Sequence, residues 1–195
     1  MKHNLKCTVL LLVTVLAAIE VSGKKKETIP PDPRFASIEN ISVLPLVDAR
    51  AGKKSGVKLD KLQDSVIHSL RKKNYSASAA MTPGDAGEIA IEDIQGASPN
   101  YIKKLGPSTE RWVMVIFLDD VASKTTFGST GNAELSGFLF DKDHGSLVWS
   151  GKGVGQAGQG GLMGMAMKPM MKEEALSAAV LDLLAGIPKL PKGGK

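Results

Sequence analysis

Cysteine is nearly missing from this chain. The single thiol, Cys7, precedes the first apolar run of the 195 residues. Everything downstream therefore lacks a disulfide framework, a thiol nucleophile and a cysteine-based metal site. No cysteine directly follows the apolar run, where Val21-Ser22-Gly23 stands instead, so no lipid anchor is expected. Aromatic residues are sparse, with five Phe, two Tyr and two Trp. They do not interleave with basic residues, which argues against base stacking and against nucleic acid as a partner. The candidate membrane segment, Thr8 to Ile19, has 12 residues, whereas a span needs about 20. Charge of one sign is also in short supply: the formal net charge is +5, spread thinly outside Lys24–Lys26 and Arg71–Lys73.

What is present begins at the amino terminus. Lys2 and Lys6 precede TVLLLVTVLAAI, and the small residues Val21 and Gly23 follow. That order of charged, apolar and small-residue regions is a secretory signal, with cleavage expected after Gly23. Residues 24–195 number 172 and carry a formal charge of +4 once Lys2, Lys6 and Glu20 are removed. That length suits a single domain. Residues 24–37, KKKETIPPDPRFAS, read as a Pro/Lys-rich leader, 38–186 as the folded domain, and 187–195 as a disordered tail.

Within the domain, Ile41 to Val47 reads as a short buried strand. Leu59 to Lys73 is a helix, because Leu59, Leu62, Val66 and Leu70 recur at intervals of three and four. Asp60 and Gln63 resemble a capping box, and Asn74 is an acceptable stop. Tyr75 to Met81 suits a second strand. Two short helices are expected at Asp85–Ile94 and Tyr101–Leu105. WVMVIFL, Trp112 to Leu118, reads as a buried strand ending at Asp119-Asp120. Asn132–Asp141 and Ser146–Gly155 form a hairpin around Lys142-Asp143-His144-Gly145. Seven glycines between Gly151 and Gly164 read as a flexible loop, and Lys172 to Ala185 is a final helix with Pro169 in its first turn and Gly186 as its stop. The order β-α-β-(α)-β-β-β-α predicts an α/β (α+β) fold, a mixed sheet with packed helices.

Four of these segments resemble a group of bacterial envelope proteins: ISVLPLVDAR (Ile41–Arg50), the helix from Leu59, WVMVIFLDD (Trp112–Asp120) and the hairpin Ala133–Gly153. Asp141, Gly145 and Trp149 fit the hairpin pattern of that group. It includes the periplasmic domain of the curli secretion channel, the amino-terminal domain of TolB and the lipoprotein activators of penicillin-binding proteins. The resemblance covers about residues 38–186 and implies scaffolding and protein binding rather than catalysis. The chain departs from the group by lacking the lipobox cysteine and by its Gly- and Met-rich segment.

Candidate chemistry is thin. Met163, Met165, Met167, Met170 and Met171 offer soft thioether ligands suited to Cu(I), but no histidine lies nearby in sequence to complete a site, which favours reading them as an adaptable apolar surface. Gly151–Gly161 lacks the Gly-Lys-Ser/Thr ending of a phosphate loop. Ser55-Gly56-Val57-Lys58 and Ser69-Leu70-Arg71-Lys72 match S-x-x-K without its companion motifs. Asp64 and His68 are spaced for an exposed helix pair. His144 falls at a turn, and Asp119 and Asp120 stand where a hard cation or a turn would use them. The expectation is therefore an exported, periplasmic or secreted protein that is non-enzymatic and needs no cofactor. It would act by binding an envelope protein or by self-association, through the Gly–Met segment or a sheet edge. The alternatives are a Cu(I) binder and a hydrolase whose residues converge only in three dimensions. Amino-terminal sequencing of protein from its native host should find Lys24 first, and a retained Met1 would refute export.

Overall fold

The computed structural model describes residues 32–52, 56–161 and 166–192. The signal-like segment, Cys7 and most of the leader lie outside them, as do Ser55, Met163 and Met165. The described residues belong to one unit.

Strand β4, Trp112–Thr126, explains the rest of the architecture. In its first half the side chains alternate between two cores. Trp112, Met114, Ile116 and Leu118 enter one, whereas Val113, Val115 and Phe117 enter the other. Both faces are covered, so WVMVIFL has no polar position. Beyond Leu118 only one face is covered, and half-buried and exposed residues alternate as far as Lys124. The strand does not end at Asp119-Asp120 as expected. A register shift between Leu118 and Asp120 absorbs one residue, as a β-bulge does, and the ladder continues to Thr126.

The sheet is mixed, as predicted. Its strand order is β3-β1-β4-β5-β6, with β2 also pairing with β4. Strands β1 (Asn40–Val43), β2 (Val47–Asp48) and β3 (Ser76–Ala79) run parallel to their neighbours. Strands β4, β5 (Gly128–Asp141) and β6 (Ser146–Gly160) form an antiparallel meander. The single strand expected from Ile41 to Val47 is divided between β1 and β2. Leu44 still donates to the Met114 carbonyl at 2.9 Å, but Pro45 has no N–H to continue the ladder.

Helices α1 (Leu59–Lys72) and α4 (Lys168–Ala185) cover one face, and α2 (Ile91–Gln95) and α3 (Pro99–Ile102) the other. Helix α1 buries Leu62, Val66, Ile67 and Leu70. Its expected capping box does not form. Lys58 occupies the N-cap, and the Gln63 amide instead donates to the Val43 carbonyl at 2.9 Å. Asn74 ends the helix at φ 70°, a left-handed conformation that asparagine tolerates.

Both ends of the domain extend further than the sequence suggested. Pro33–Ser37 forms a 3-10 turn that buries Phe35 beside Tyr75. Ile187 is buried, and the Tyr75 hydroxyl donates to the Pro188 carbonyl at 2.9 Å. Leu190 N–H donates to Lys73 O at 3.0 Å, and Asn74 holds the Leu190 carbonyl. The expected disordered tail is therefore held as far as Leu190, because Ile187 supplies an apolar anchor and the end of α1 supplies hydrogen-bonding groups.

The largest correction concerns the glycine run. The hairpin arm expected to end at Gly155 runs on to Gly160, so the glycine-rich stretch is not a loop but the second half of β6, paired from Gly151 to Gly160 with Gly137 to Gly128 of β5. A Cβ at Gly153 would collide with the Ala179 carbonyl, one at Gly155 with the Ala175 carbonyl, and one at Gly131 of β5 with the Met171 carbonyl. Helix α4 thus lies backbone against backbone on the sheet. Gly155→Ala should cost about 2 kcal/mol or more, because a helix carbonyl cannot step aside as a side chain can. Gly160→Ala, with open space around the added atom, should change stability by less than about 0.5 kcal/mol. Denaturant titration of both variants checks the seam, and equal effects would refute it.

Candidate functional site

The glycine seam fixes what β6 presents to its surroundings. Its odd-numbered residues from Gly151 to Ala157 face α4, so Ser150, Lys152, Val154 and Gln156 point to the opposite, exposed face. Gly153 and Gly155 stand opposite Leu135 and Ala133. Val154 N–H donates sideways to the Asp182 carboxylate at 2.9 Å. With period two, the N–H groups of Lys152, Gln156 and Gly158 also point away from β5. Strand β6 is an edge of the sheet, and among the described residues no strand lies beyond it.

Natural edges of this length are usually protected by charges, proline or bulges. Here the protection is slight. Over its 15 residues β6 has one charged side chain, Lys152, no proline, and a register shift confined to its start near Trp149. Asp182 on α4 occupies one outward N–H. The chemistry available is main-chain donors and acceptors in a row beside short side chains, which suits addition of another strand.

The β5–β6 turn carries the densest polar cluster. Asp141 is fully buried and accepts from Arg111 Nε and Nη2 at 3.0 and 2.8 Å, and from the Asp143 N–H at 3.1 Å. His144 Nδ1 lies 2.7 Å from Asp141 Oδ2. Burial opposes the charge on Asp141, but the hydrogen bonds from Arg111 and His144 outweigh it and hold the carboxyl at about 2. This Asp–His pair is engaged in closing the turn and seating Arg111. The nearby Ser146 hydroxyl accepts from Arg34 Nη1 at 2.8 Å. The adjacent Lys142 is buried, donates to the Pro107 carbonyl at 2.7 Å, and has its ammonium pushed down by that burial.

The other candidates do not converge. Met171 is 2% exposed and Met170 53% exposed, as consecutive residues about 100° apart on a helix would be. Met167 is the N-cap of α4, so the described methionines share no centre. Among the described residues no three His, Cys, Asp or Glu side chains are grouped as a metal site. Asp119 accepts from Ser136 at 2.6 Å within the sheet, whereas Asp120 is exposed. Asp64 and His68 are exposed on α1 with no ion pair between them, and Ser69 is buried. The sequence reading missed two features, the Asp182 cap and the bidentate Arg50–Asp48 pair at 2.6 and 2.7 Å. No motif announces either. Only the alternation of Asp48 and Arg50 beside a strand was visible.

No family model matches the sequence, and no curated protein matches it. Solved structures are similar. The PelC dodecamer from Paraburkholderia phytofirmans is 12% identical, covering 77% of this chain and 89% of that one with a TM-score of 0.45. Lipoprotein GNA1162 from Neisseria meningitidis is 16% identical over 66% of this chain and 91% of its own, with a TM-score of 0.46. The hypothetical protein CT253 from Chlamydia trachomatis is 13% identical over 73% and 93%, with a TM-score of 0.47. Among the described residues no helix is long and apolar enough to cross a membrane.

The Asp141 network has a pH signature. Its folded carboxyl lies below the ordinary 3.8, so its contribution is complete above that value and is lost as pH falls through about 2. Asp141→Asn should cost on the order of 2 kcal/mol at neutral pH, and that gap should close between about pH 4 and pH 2. Denaturant titrations across this range test it. A gap that stays constant with pH would mean the buried carboxylate is not the charged partner of Arg111.

Proposed function

We propose that this chain is an exported, non-enzymatic module of the cell envelope that binds protein, and that a partner strand adds to the outer edge of β6. The partner is another envelope protein or a second copy. The observation that carries the reading is the edge: a long strand packed closely against α4, almost without charge, and with main-chain groups directed outward. Export rests on the charged, apolar and small-residue order of residues 1–23. A catalytic reading draws no support from the Asp141–His144 pair, because both side chains are engaged in the turn.

Gln156→Pro tests the edge. The N–H it removes points away from β5, so the internal ladder survives, as proline tolerates on the outer side of an edge strand. The variant should melt within a few degrees of the parent yet lose the partner that the parent captures from envelope extracts. Amide exchange at Lys152, Val154 and Gln156 should slow in the parent's complex. Undiminished capture by Gln156→Pro, or slowing confined to other regions, would overturn the strand-addition reading.

A further inference from the structure

Helices α1 and α4 lie side by side on the sheet and leave a furrow of about 480 Å³ between them. Its walls run from Val57 to Ser65 on one side and from Pro169 to Ser177 on the other, roughly two turns or about 12 Å of each helix. The floor is aliphatic: Leu62 and Leu176 are the core residues that reach it, with Val57 and Pro169 at the end near the start of both helices. Ser65 and Ser177 are too small to fill the space between the helices. The furrow is of the size that small-molecule sites occupy, about 300–1,000 Å³.

Its rim is cationic. Lys58, Lys61 and Lys172 line it, against the single carboxylate of Glu173. Lys172 Nζ donates to the Gly56 carbonyl at 2.9 Å, which uses one of the three N–H donors of an ammonium. Its burial and the nearby Arg50 disfavour its charge, an effect that Asp48 offsets only in part, and an anion in the furrow would offset it further. Lysine stems cover apolar surface while their heads stay in water. An apolar floor is thus joined to a ring of ammonium groups at one site.

We infer that this furrow binds a single-chain anionic amphiphile, its acyl tail lying on Leu62 and Leu176 and its carboxylate or phosphate among Lys58, Lys61 and Lys172. The floor fits one chain. An amphipathic helix in a groove needs anchors at i, i+3 or i+4, and i+7, and two leucines do not provide that strip. Burial of the tail's CH₂ groups supplies affinity, and the ammonium groups select the head. The site lies between α1 and α4, away from the outer edge of β6, and does not depend on strand addition there.

The test is calorimetric titration of the chain from Lys24 to Lys195 with laurate, and with a neutral maltoside of the same tail length, both below micelle formation. Laurate should bind one to one, at least tenfold tighter than the maltoside. Lys58→Glu with Lys61→Glu should weaken laurate at least fivefold without changing the melting temperature. Ser65→Trp, which fills the furrow from its rim, should abolish binding, and a melting curve like the parent's shows that the fold persists. Methyl shifts in the parent should concentrate at Leu62 and Leu176. Three outcomes would overturn the inference: equal affinity for the maltoside, indifference to the two charge reversals, or displacement of laurate by an acidic helical peptide that binds more tightly.

Discussion

Helix α4 approaches the sheet more closely than side chains normally permit, and much of the molecule follows from that contact. Gly131, Gly153 and Gly155 leave no side chain beneath it, and Ala175 and Ala179 bring its own backbone down onto the strands. Glycine loses more backbone freedom on ordering than any other residue. The run is retained in a strand because a methyl group at these positions would meet a helix carbonyl. Removing side chains from the seam also removes apolar area that would otherwise be buried there. The larger residues around it, Leu135, Leu139, Val180 and Leu183, supply the apolar burial.

How far the fold could be read from the sequence depended on whether local preference and tertiary need agreed. They agreed for α1, where a clean apolar stripe lies on the sheet and the opposite face meets solvent, and for Trp112–Leu118, where two cores demand apolar residues on both faces. They disagreed for Gly151–Gly160. Local preference favours a loop there, and only the distant Ala175 and Ala179 make a strand. Asp119 and Asp120 looked like a strand end because paired acids rarely continue a buried strand. The bulge and the uncovered face beyond it make them acceptable. Phe35 and Ile187 were assigned to a leader and a tail because each is a single apolar residue among prolines and lysines, too little for any periodic signal. The candidate site was legible only as the possibility of a sheet edge. Neither the identity of β6 as that edge nor the place of Asp182 has a motif, since both depend on pairing between segments far apart in sequence.

The seam also accounts for the character of the exposed edge. A strand that must show hydrogen atoms to the helix on one side has every second position fixed as glycine or alanine. The intervening positions, Lys152, Val154 and Gln156, are the only places left for side chains that could discourage another strand, and just one of them is charged. Protection of the edge is therefore left largely to the helix. Asp182 provides it from α4, one turn of helix after Ala179 approaches Gly153, by occupying the outward N–H of Val154.

That arrangement sets how a partner strand would be received. A carboxylate hydrogen-bonded to a single edge N–H is held by one exposed contact, and such a contact contributes modestly to stability. On the proposed reading an incoming carbonyl would replace it while Asp182 turns to solvent, so the cap would lower the affinity of strand addition without preventing it. The N–H groups of Lys152, Gln156 and Gly158 need no such exchange. A partner would register first on the positions that flank Val154 and displace Asp182 last. Under the proposed strand addition, Asp182 would also discriminate between partners, because a strand too short to bridge from Lys152 to Gln156 would gain little to offset removal of the cap.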